Sequence, residues 1–308
     1  MNGRSNLERV LRAGHFAVTG ECGPPQGADA EVVRKKAGYL KGYVDAVNVT
    51  DNQTSIVRMS SLAACLLIKE VGLEPLLQMV VRDRNRIALQ SDLLGAAAHG
   101  INNVLCLSGD HQIFGNQQEA KNVYDIDSVN LIDTVRMMRD DGKILGGDEV
   151  EGAPGMYIGA AANPFGDPFD FRPIRLAKKV KAGVDFIQTQ CIYNMPKFRE
   201  YMKRVVDMGL HEKVHVMAGI TPLKSLPMAR YMATKVSGID VPDDMIARLK
   251  GVEKKQRAKE GIKIAIEQMQ EVKEIEGVHG VHLMAIEWEH KVPDIVKEAG
   301  FHPRPKVD

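Results

Sequence analysis

Eight short β-rich runs, each followed by a segment of helical periodicity, predict an α/β fold closed as a single (β/α)8 TIM barrel. Alternation sets the class, because parallel strands need a helical crossover between them. Length agrees with it: 308 residues with 44% hydrophobic content supply a large core, and barrels of this kind run to about 250 residues or more as one domain. One domain spanning residues 1–308 is therefore the expected organisation, with two smaller domains as the competitor. A doubly wound open sheet is the alternative reading of the same alternation.

The strands are read near His15–Gly20, Asp45–Val49, Glu74–Val81, Asn103–Leu107, Met156–Ala161, Asp185–Thr189, Lys213–Ala218 and Val281–Ala285. Helical patterns lie between them, among them AEVVRKKAGYLKGY, SLAACLLIKEV, RIALQSDLLGAAAHG, VNLIDTVRMMRDDG, IRLAKKVKAG, MPKFREYMKRVVDMG, LPMARYMATKV and VPDIVKEAG. Several close on glycine, as a helix C-cap does. Residues 111–127 and 141–155 are rich in Gly and Asp without periodicity and are read as loops. The segment 243–276 is one long helix or two, inserted before the last strand. Its dense charges read as a solvated face with i,i+4 pairs rather than a regulatory or partner-binding arm.

Several classes are excluded. A net charge of +1 supplies no field for phosphate backbones, and no basic block is interleaved with aromatics, so nucleic acid is not an expected partner. The apolar stretch Leu62–Ile68 is too short to span a bilayer and MNGRSNLERV has no signal-peptide core, so a cytoplasmic protein is expected. Cys22, Cys65, Cys106 and Cys191 contain no CxxC spacing, which leaves no disulfide scaffold or metal site. Cys65 and Cys106 read as core residues, whereas Cys22 and Cys191 fall just after strand ends. No HExxH is present, and HGVH puts His279 and His282 on opposite faces of a strand, so no metal is expected. GxGxxG, the P-loop and GxSxG are all absent.

Barrel enzymes carry their chemistry at the carboxyl ends of the strands. Those positions are Glu21 after strand 1, Thr50, Asp51 and Asn52 after strand 2, and Gln78 at the end of strand 3. Strand 4 ends in Ser108, Gly109 and Asp110, strand 5 in Asn163, strand 6 in Gln190, strand 7 in Gly219 and Thr221, and strand 8 in Glu287. Carboxylates and amides converging from several strands suit a polar heterocyclic ligand. Each has a plainer reading: Glu21 can rim a loop or pair with a distant Lys, and LSGD (residues 107–110) can be a turn with an N-cap. Arg175, Lys178 and Lys179 share one helical face after strand 5, which is either solvated surface or a cradle for a cofactor's phosphates.

Taken in order, TGECGPP, VNVTDN, LEPLLQMVVRDRN, INNVLCLSGD, YIGAAANP, KKVKAGVDFIQTQCIYN and AGITPL resemble the methylenetetrahydrofolate reductase family, from about Phe16 to Leu226 and more loosely beyond. Glu21 ahead of Pro24-Pro25, the Gly109-Asp110 pair and the lysines leading into AGVDFIQTQ are the most specific features. The likeness is to the short acetogen form, which is similar to a catalytic subunit working with a small zinc-containing partner and an electron-supplying redox complex. The resemblance implies a barrel that uses FAD to reduce 5,10-methylenetetrahydrofolate to 5-methyltetrahydrofolate. It implies Glu21 as general acid and Asp110 as a catalytic residue facing folate and flavin. Gln190 and Leu226 are implied as substrate contacts. Thr50, Gln78, Ser108, Gly109, Asp110, Asn163, Arg175, Lys178 and Lys179 are implied as flavin contacts, the lysines pairing with diphosphate.

Five positions depart from the family pattern: Cys22 with Gly23 in place of an aromatic pair, Gln78 for a common His, Ser108 for a frequent Arg, and Leu226 where relatives can carry Phe. They surround the flavin and the dinucleotide side, which leaves the electron donor open between NAD(P)H and a partner subunit. The competing functions are a flavin-free pterin-binding barrel that transfers a methyl group and a non-catalytic subunit of a redox complex.

Overall fold

Alternation along each strand sorts its side chains between the barrel interior and the surrounding helices. The computed structural model describes residues 3–307. Strands β1 (Ala17–Cys22), β2 (Ala46–Val49), β3 (Pro75–Val80), β4 (Asn103–Leu107), β5 (Tyr157–Ala162), β6 (Phe186–Cys191), β7 (His215–Ile220) and β8 (Val278–Leu283) pair in parallel and in chain order. β8 returns to β1, pairing Ala17 with Gly280, and closes the barrel. The eight-stranded (β/α)8 barrel expected from the alternation is the observed fold.

The helices are α1 (Asn6–Arg12), α2 (Ala30–Leu40), α3 (Ser61–Glu70), α4 (Arg86–Ala98), α5 (Ser128–Arg136), α6 (Arg172–Ala182), α7 (Met195–Asp207), α8 (Leu226–Lys235), α9 (Asp243–Lys250), α10 (Arg257–Lys273) and α11 (Val292–Glu298). Side-chain caps define many of the starts: Asp29, Ser60, Asn85, Asp127, Asn194 and Ser225 each accept from a first-turn amide. Gly183 ends α6 with a φ of 101°, a conformation that strongly favours glycine. No helix among the described residues is long and apolar enough to cross a membrane.

The lower interior is filled by Ala17, Ala46, Leu76, Leu105, Tyr157, Phe186 and Met217, one from each of β1 to β7. Tyr157 and Phe186 stack with ring centroids 5.1 Å apart, and Gly159 leaves the room, since a Cβ there would collide with the Phe186 ring. Leu7, Val10 and Leu11 of α1 pack against this layer and close the lower end of the barrel. The sequence reading missed α1, because seven residues between polar flanks show too little periodicity to register.

Other elements are corrected as well. β8 begins three residues before the expected Val281, because Gly280 lets the backbone approach Ala17 where any Cβ would strike its carbonyl. Glu287 consequently stands four residues beyond the strand and pairs with Lys36 at 2.7 Å on the rim. β1 and β6 run to Cys22 and Cys191, which puts Glu21 and Gln190 inside the strands rather than after them. The segment 243–276 resolves into α9 and α10. α10 is more than a solvated face: Ile264, Ala265, Ile266, Met269 and Val272 are buried, while Arg248 reaches Glu260 and Glu267 on the charged side.

Candidate active site

Above the apolar floor the barrel interior turns polar. Thr19, Asn48, Gln188 and His282, on β1, β2, β6 and β8, are all nearly inaccessible to solvent and form one hydrogen-bonded chain. Asn48 and Gln188 exchange amide hydrogen bonds across the barrel, Gln188 donates to Thr19 Oγ1, and Thr19 Oγ1 lies 3.0 Å from His282 Nδ1. His282 Nε2 is 3.6 Å from Glu21 Oε2. Glu21 stands one strand repeat above Thr19, and its side chain is 12% exposed.

Two cavities, of about 340 and 480 Å³, open at the carboxyl ends of the strands. Glu21, Gln188, His282 and Met284 line the first. Asp51, Arg82, Ser108, Gly109 and Asp110 line the second. Gln78, Leu107, Ala161, Asn163, Arg175, Lys179 and Gln190 belong to both, which makes them two lobes of one mouth.

The predicted residues distribute unevenly over this mouth. Glu21 sits in the first lobe and Asp110 in the second, with Gln190 between them. The Asp110 carboxylate accepts from the Thr54 amide at 2.8 Å, and Gly109, at φ 85°, makes the bend that leads to it. Ser108 reaches Ser128 Oγ at 3.1 Å. Of the three α6 cations expected at the site, Arg175 and Lys179 face the mouth, whereas Lys178 is absent from both linings and lies over the Phe171 ring at 5.8 Å. Two other residues also stand outside both linings. Thr50 is buried beyond β2 with Oγ1 unpaired among the described residues, and Leu226 packs into an apolar cluster with Cys191, Tyr193 and Leu223 at the start of α8.

Lys179 is a buried cation without a carboxylate. Its Nζ donates to the Ala161 carbonyl, and burial, aided by the nearby Arg175, pushes its pKa down to about 8. Neither Arg175, which is exposed at the rim, nor the buried Lys179 has a salt-bridge partner among the described residues, whereas the buried Arg82 and the largely buried Arg84 are paired. Together they place two positive charges one helical turn apart on the cavity wall, an arrangement that can receive an anion. Among the described residues, no group of three or more His, Cys, Asp or Glu side chains is placed to hold a metal ion. Burial pushes the Cys22 thiol up to about 12 and Cys191 up to about 11, so both remain protonated and unreactive.

Sequence reasoning missed Thr19, Asn48, Gln188, His282 and Arg82. Strand parity carried the signal for most of them. Stepping two residues back from Glu21 and Gln190 reaches Thr19 and Gln188, and HGVH does split its two rings, with His279 outside the barrel interior. Nothing local marks Arg82, whose guanidinium holds three separate loop carbonyl or hydroxyl oxygens.

Comparison with known proteins supplies an independent line. The family described as methylenetetrahydrofolate reductase matches residues 6–300. The chain is 26% identical over 265 residues to methylenetetrahydrofolate reductase 2 of Schizosaccharomyces pombe, covering 80% of this chain and 39% of that protein. It is 23% identical over 258 residues to a probable NADPH-type methylenetetrahydrofolate reductase of Caenorhabditis elegans, covering 81% and 36%. The chain thus spans well under half the length of these relatives. A Clostridium thermocellum protein that binds two copies of 5-methyl-5,6,7,8-tetrahydrofolic acid shares the fold, with a TM-score of 0.62 over 96% of this chain and 98% of that one, at 13% identity.

Proposed function

The chain belongs to the methylenetetrahydrofolate reductase family, and from that premise we propose that it reduces 5,10-methylenetetrahydrofolate to 5-methyltetrahydrofolate with FAD as hydride carrier. The observation that carries this reading is the coexistence in one mouth of an acid beside an imidazole, Glu21 with His282, and an unpaired cation pair, Arg175 with Lys179.

The residues fit the cofactor. Arg175 and Lys179 would hold its diphosphate, and Gln78, Asn163 and Gln190 offer amides that donate and accept along a ring edge. When bound, the flavin supplies a hydride from N5 to the one-carbon unit. Glu21 supplies the matching proton: delivered to N10 of the folate, it opens the five-membered ring to an iminium, whose carbon then accepts the hydride to become the methyl group. His282 faces the Glu21 carboxyl from 3.6 Å, and an apolar layer closes the barrel floor beneath them. Asp110 brings negative charge to the second lobe, which disfavours further anionic character on a reduced ring and so favours hydride donation.

The test is the visible spectrum of the chain reconstituted with FAD, followed without oxygen. A flavin spectrum that bleaches on reduction and returns on adding 5,10-methylenetetrahydrofolate is the expected result. Bleaching by NADH or NADPH assigns the donor, while reduction by dithionite alone assigns electron delivery to a partner subunit. A chain that never binds FAD overturns the reading in favour of a flavin-free pterin barrel.

A further inference from the structure

The hydrogen-bonded chain inside the barrel has a direction, and its source is the amide pair farthest from the acid. Asn48 Nδ2 donates to Gln188 Oε1 at 2.6 Å, and Gln188 Nε2 returns a bond to Asn48 Oδ1 at 3.1 Å. The remaining N–H of Gln188 donates to Thr19 Oγ1 at 3.0 Å. Asn48, Gln188 and Thr19 are at most 2% exposed, so bulk solvent does not compete for these bonds.

Thr19 Oγ1 therefore accepts from Gln188, and its own hydrogen has a single destination. Its only other hydrogen-bond partner among the described residues is His282 Nδ1, at 3.0 Å. A neutral imidazole that accepts at Nδ1 carries its proton on Nε2. Nε2 is the atom that faces Glu21 Oε2.

We infer that the Gln188–Asn48 amide pair is a positioning device that sets the tautomer of His282, so that an N–H, not a lone pair, is presented to Glu21. Neither amide touches the reacting atoms in this role; both act through Thr19 and His282. The consequence lies in the acid itself. An N–H aimed at Oε2 from 3.6 Å, longer than a hydrogen bond but within electrostatic reach, disfavours a hydrogen on that oxygen and favours Oε1 whenever the carboxyl carries one. Neither Glu21 oxygen has a hydrogen-bond partner among the described residues, and the carboxyl lines the cavity where a ligand would sit. Had both amides been turned over, Thr19 would donate to Gln188 and accept from Nδ1–H. His282 would then offer a lone pair to Glu21 and draw the acid's hydrogen away from the ligand.

The tautomer is a property of the resting chain, while its use in catalysis rests on the proposed role of Glu21. Long-range ¹H–¹⁵N correlation spectra of the full chain labelled with ¹⁵N-histidine read it directly, at mildly alkaline pH where an ordinary imidazole is neutral. The His282→Gln spectrum identifies the signal. The expected result is a protonated Nε2 and bare Nδ1 for His282 in the parent chain. In Gln188→Leu the freed Thr19 hydroxyl accepts from the ring, and the pattern shifts toward protonated Nδ1. Thr19→Val, a near-isosteric change, removes the same control without touching the amides and tests the idea if Gln188→Leu does not fold. A protonated Nδ1 in the parent chain, or an unchanged pattern in the folded variants, overturns the inference. Full folate turnover by Glu21→Gln alongside the expected tautomer would instead overturn the general-acid role of Glu21 and leave this assignment standing.

Discussion

Arg82 donates from Nη1 to the main-chain oxygen of Asp110 at 2.9 Å and from the same nitrogen to Ser55 Oγ at 2.7 Å, joining the loops after β2 and β4 through one buried guanidinium. Its Nη2 reaches the Asn52 carbonyl at 3.3 Å, and Asp83 takes the remaining fork. Asn52, Thr54 and Ser55 all have positive φ, so this loop is held in a conformation that non-glycine residues resist. Arg82 offsets that strain. Arg82→Lys keeps the charge but lacks the planar fork. Its expected effect is a stability loss of roughly 2 kcal/mol and weaker flavin retention, checked by urea titration and by FAD titration of the refolded chain. Unchanged flavin affinity would show that the second lobe does not depend on this anchor.

Glu21→Gln is expected to bind FAD as the parent does and to slow reoxidation of the reduced chain by 5,10-methylenetetrahydrofolate by about 10²–10⁴-fold, the range of a lost general acid. Stopped-flow absorbance separates the two steps. A parallel loss of flavin reduction by its electron donor would indicate damage to the mouth rather than loss of a proton donor.

Lys179 makes anion binding depend on pH. Its folded-state pKa is depressed to about 8, so it is an ammonium below that value and neutral above it. Affinity for FAD, or for pyrophosphate as a probe, is expected to fall as pH rises through 8. In the ligand-free chain the sign for stability is opposite: the unfolded state holds the proton more tightly, so stability rises between about pH 8 and 10.5. Lys179→Met should weaken binding about tenfold, equivalent to about 1.4 kcal/mol, and flatten the pH dependence in isothermal titration.

At the lower end of the barrel, burial and the neighbouring His215 and His211 push the His279 pKa down to about 4. Its Nδ1 accepts from the Val216 amide at 3.2 Å, which only the neutral ring can do. The group's stabilisation is complete above the unfolded value of 6.5 and is lost as pH falls through 4. Denaturant midpoints measured across that window should decline less steeply in His279→Asn than in the parent.

Gly159→Ala would drive a methyl group into the Phe186 ring between β5 and β6. Overpacking of this kind costs about 1–3 kcal/mol. Calorimetry should show the loss, and a second change of Phe186→Leu should recover part of it by making space.

Much of this architecture was legible from local pattern. Asn103–Leu107 was read to the residue, because an apolar run bounded by Asn102 and Ser108 has no other solution. Glu21, Gln78, Asp110, Asn163 and Gln190 were marked as mouth positions by their place at the ends of apolar runs, and each lines a cavity. The reading failed where chain neighbours were not space neighbours. Lys178 and Lys179 are adjacent in sequence, yet a helix turns successive residues by about 100°, so one is buried in the mouth and the other lies outside it over Phe171.

The order of strands and helices, the barrel class and the polar character of the mouth are determined by the sequence itself, since periodicity and turn chemistry act over a few residues. Register and partnership are decided only in three dimensions. His282 meets Glu21 because β8 pairs with β1 with Thr19 opposite His282, and Gln188 meets Asn48 because closure brings β6 across from β2. No local rule joins residues 140 or 263 positions apart. The closed barrel does so, by forcing every inward side chain of one layer into the same small, buried space.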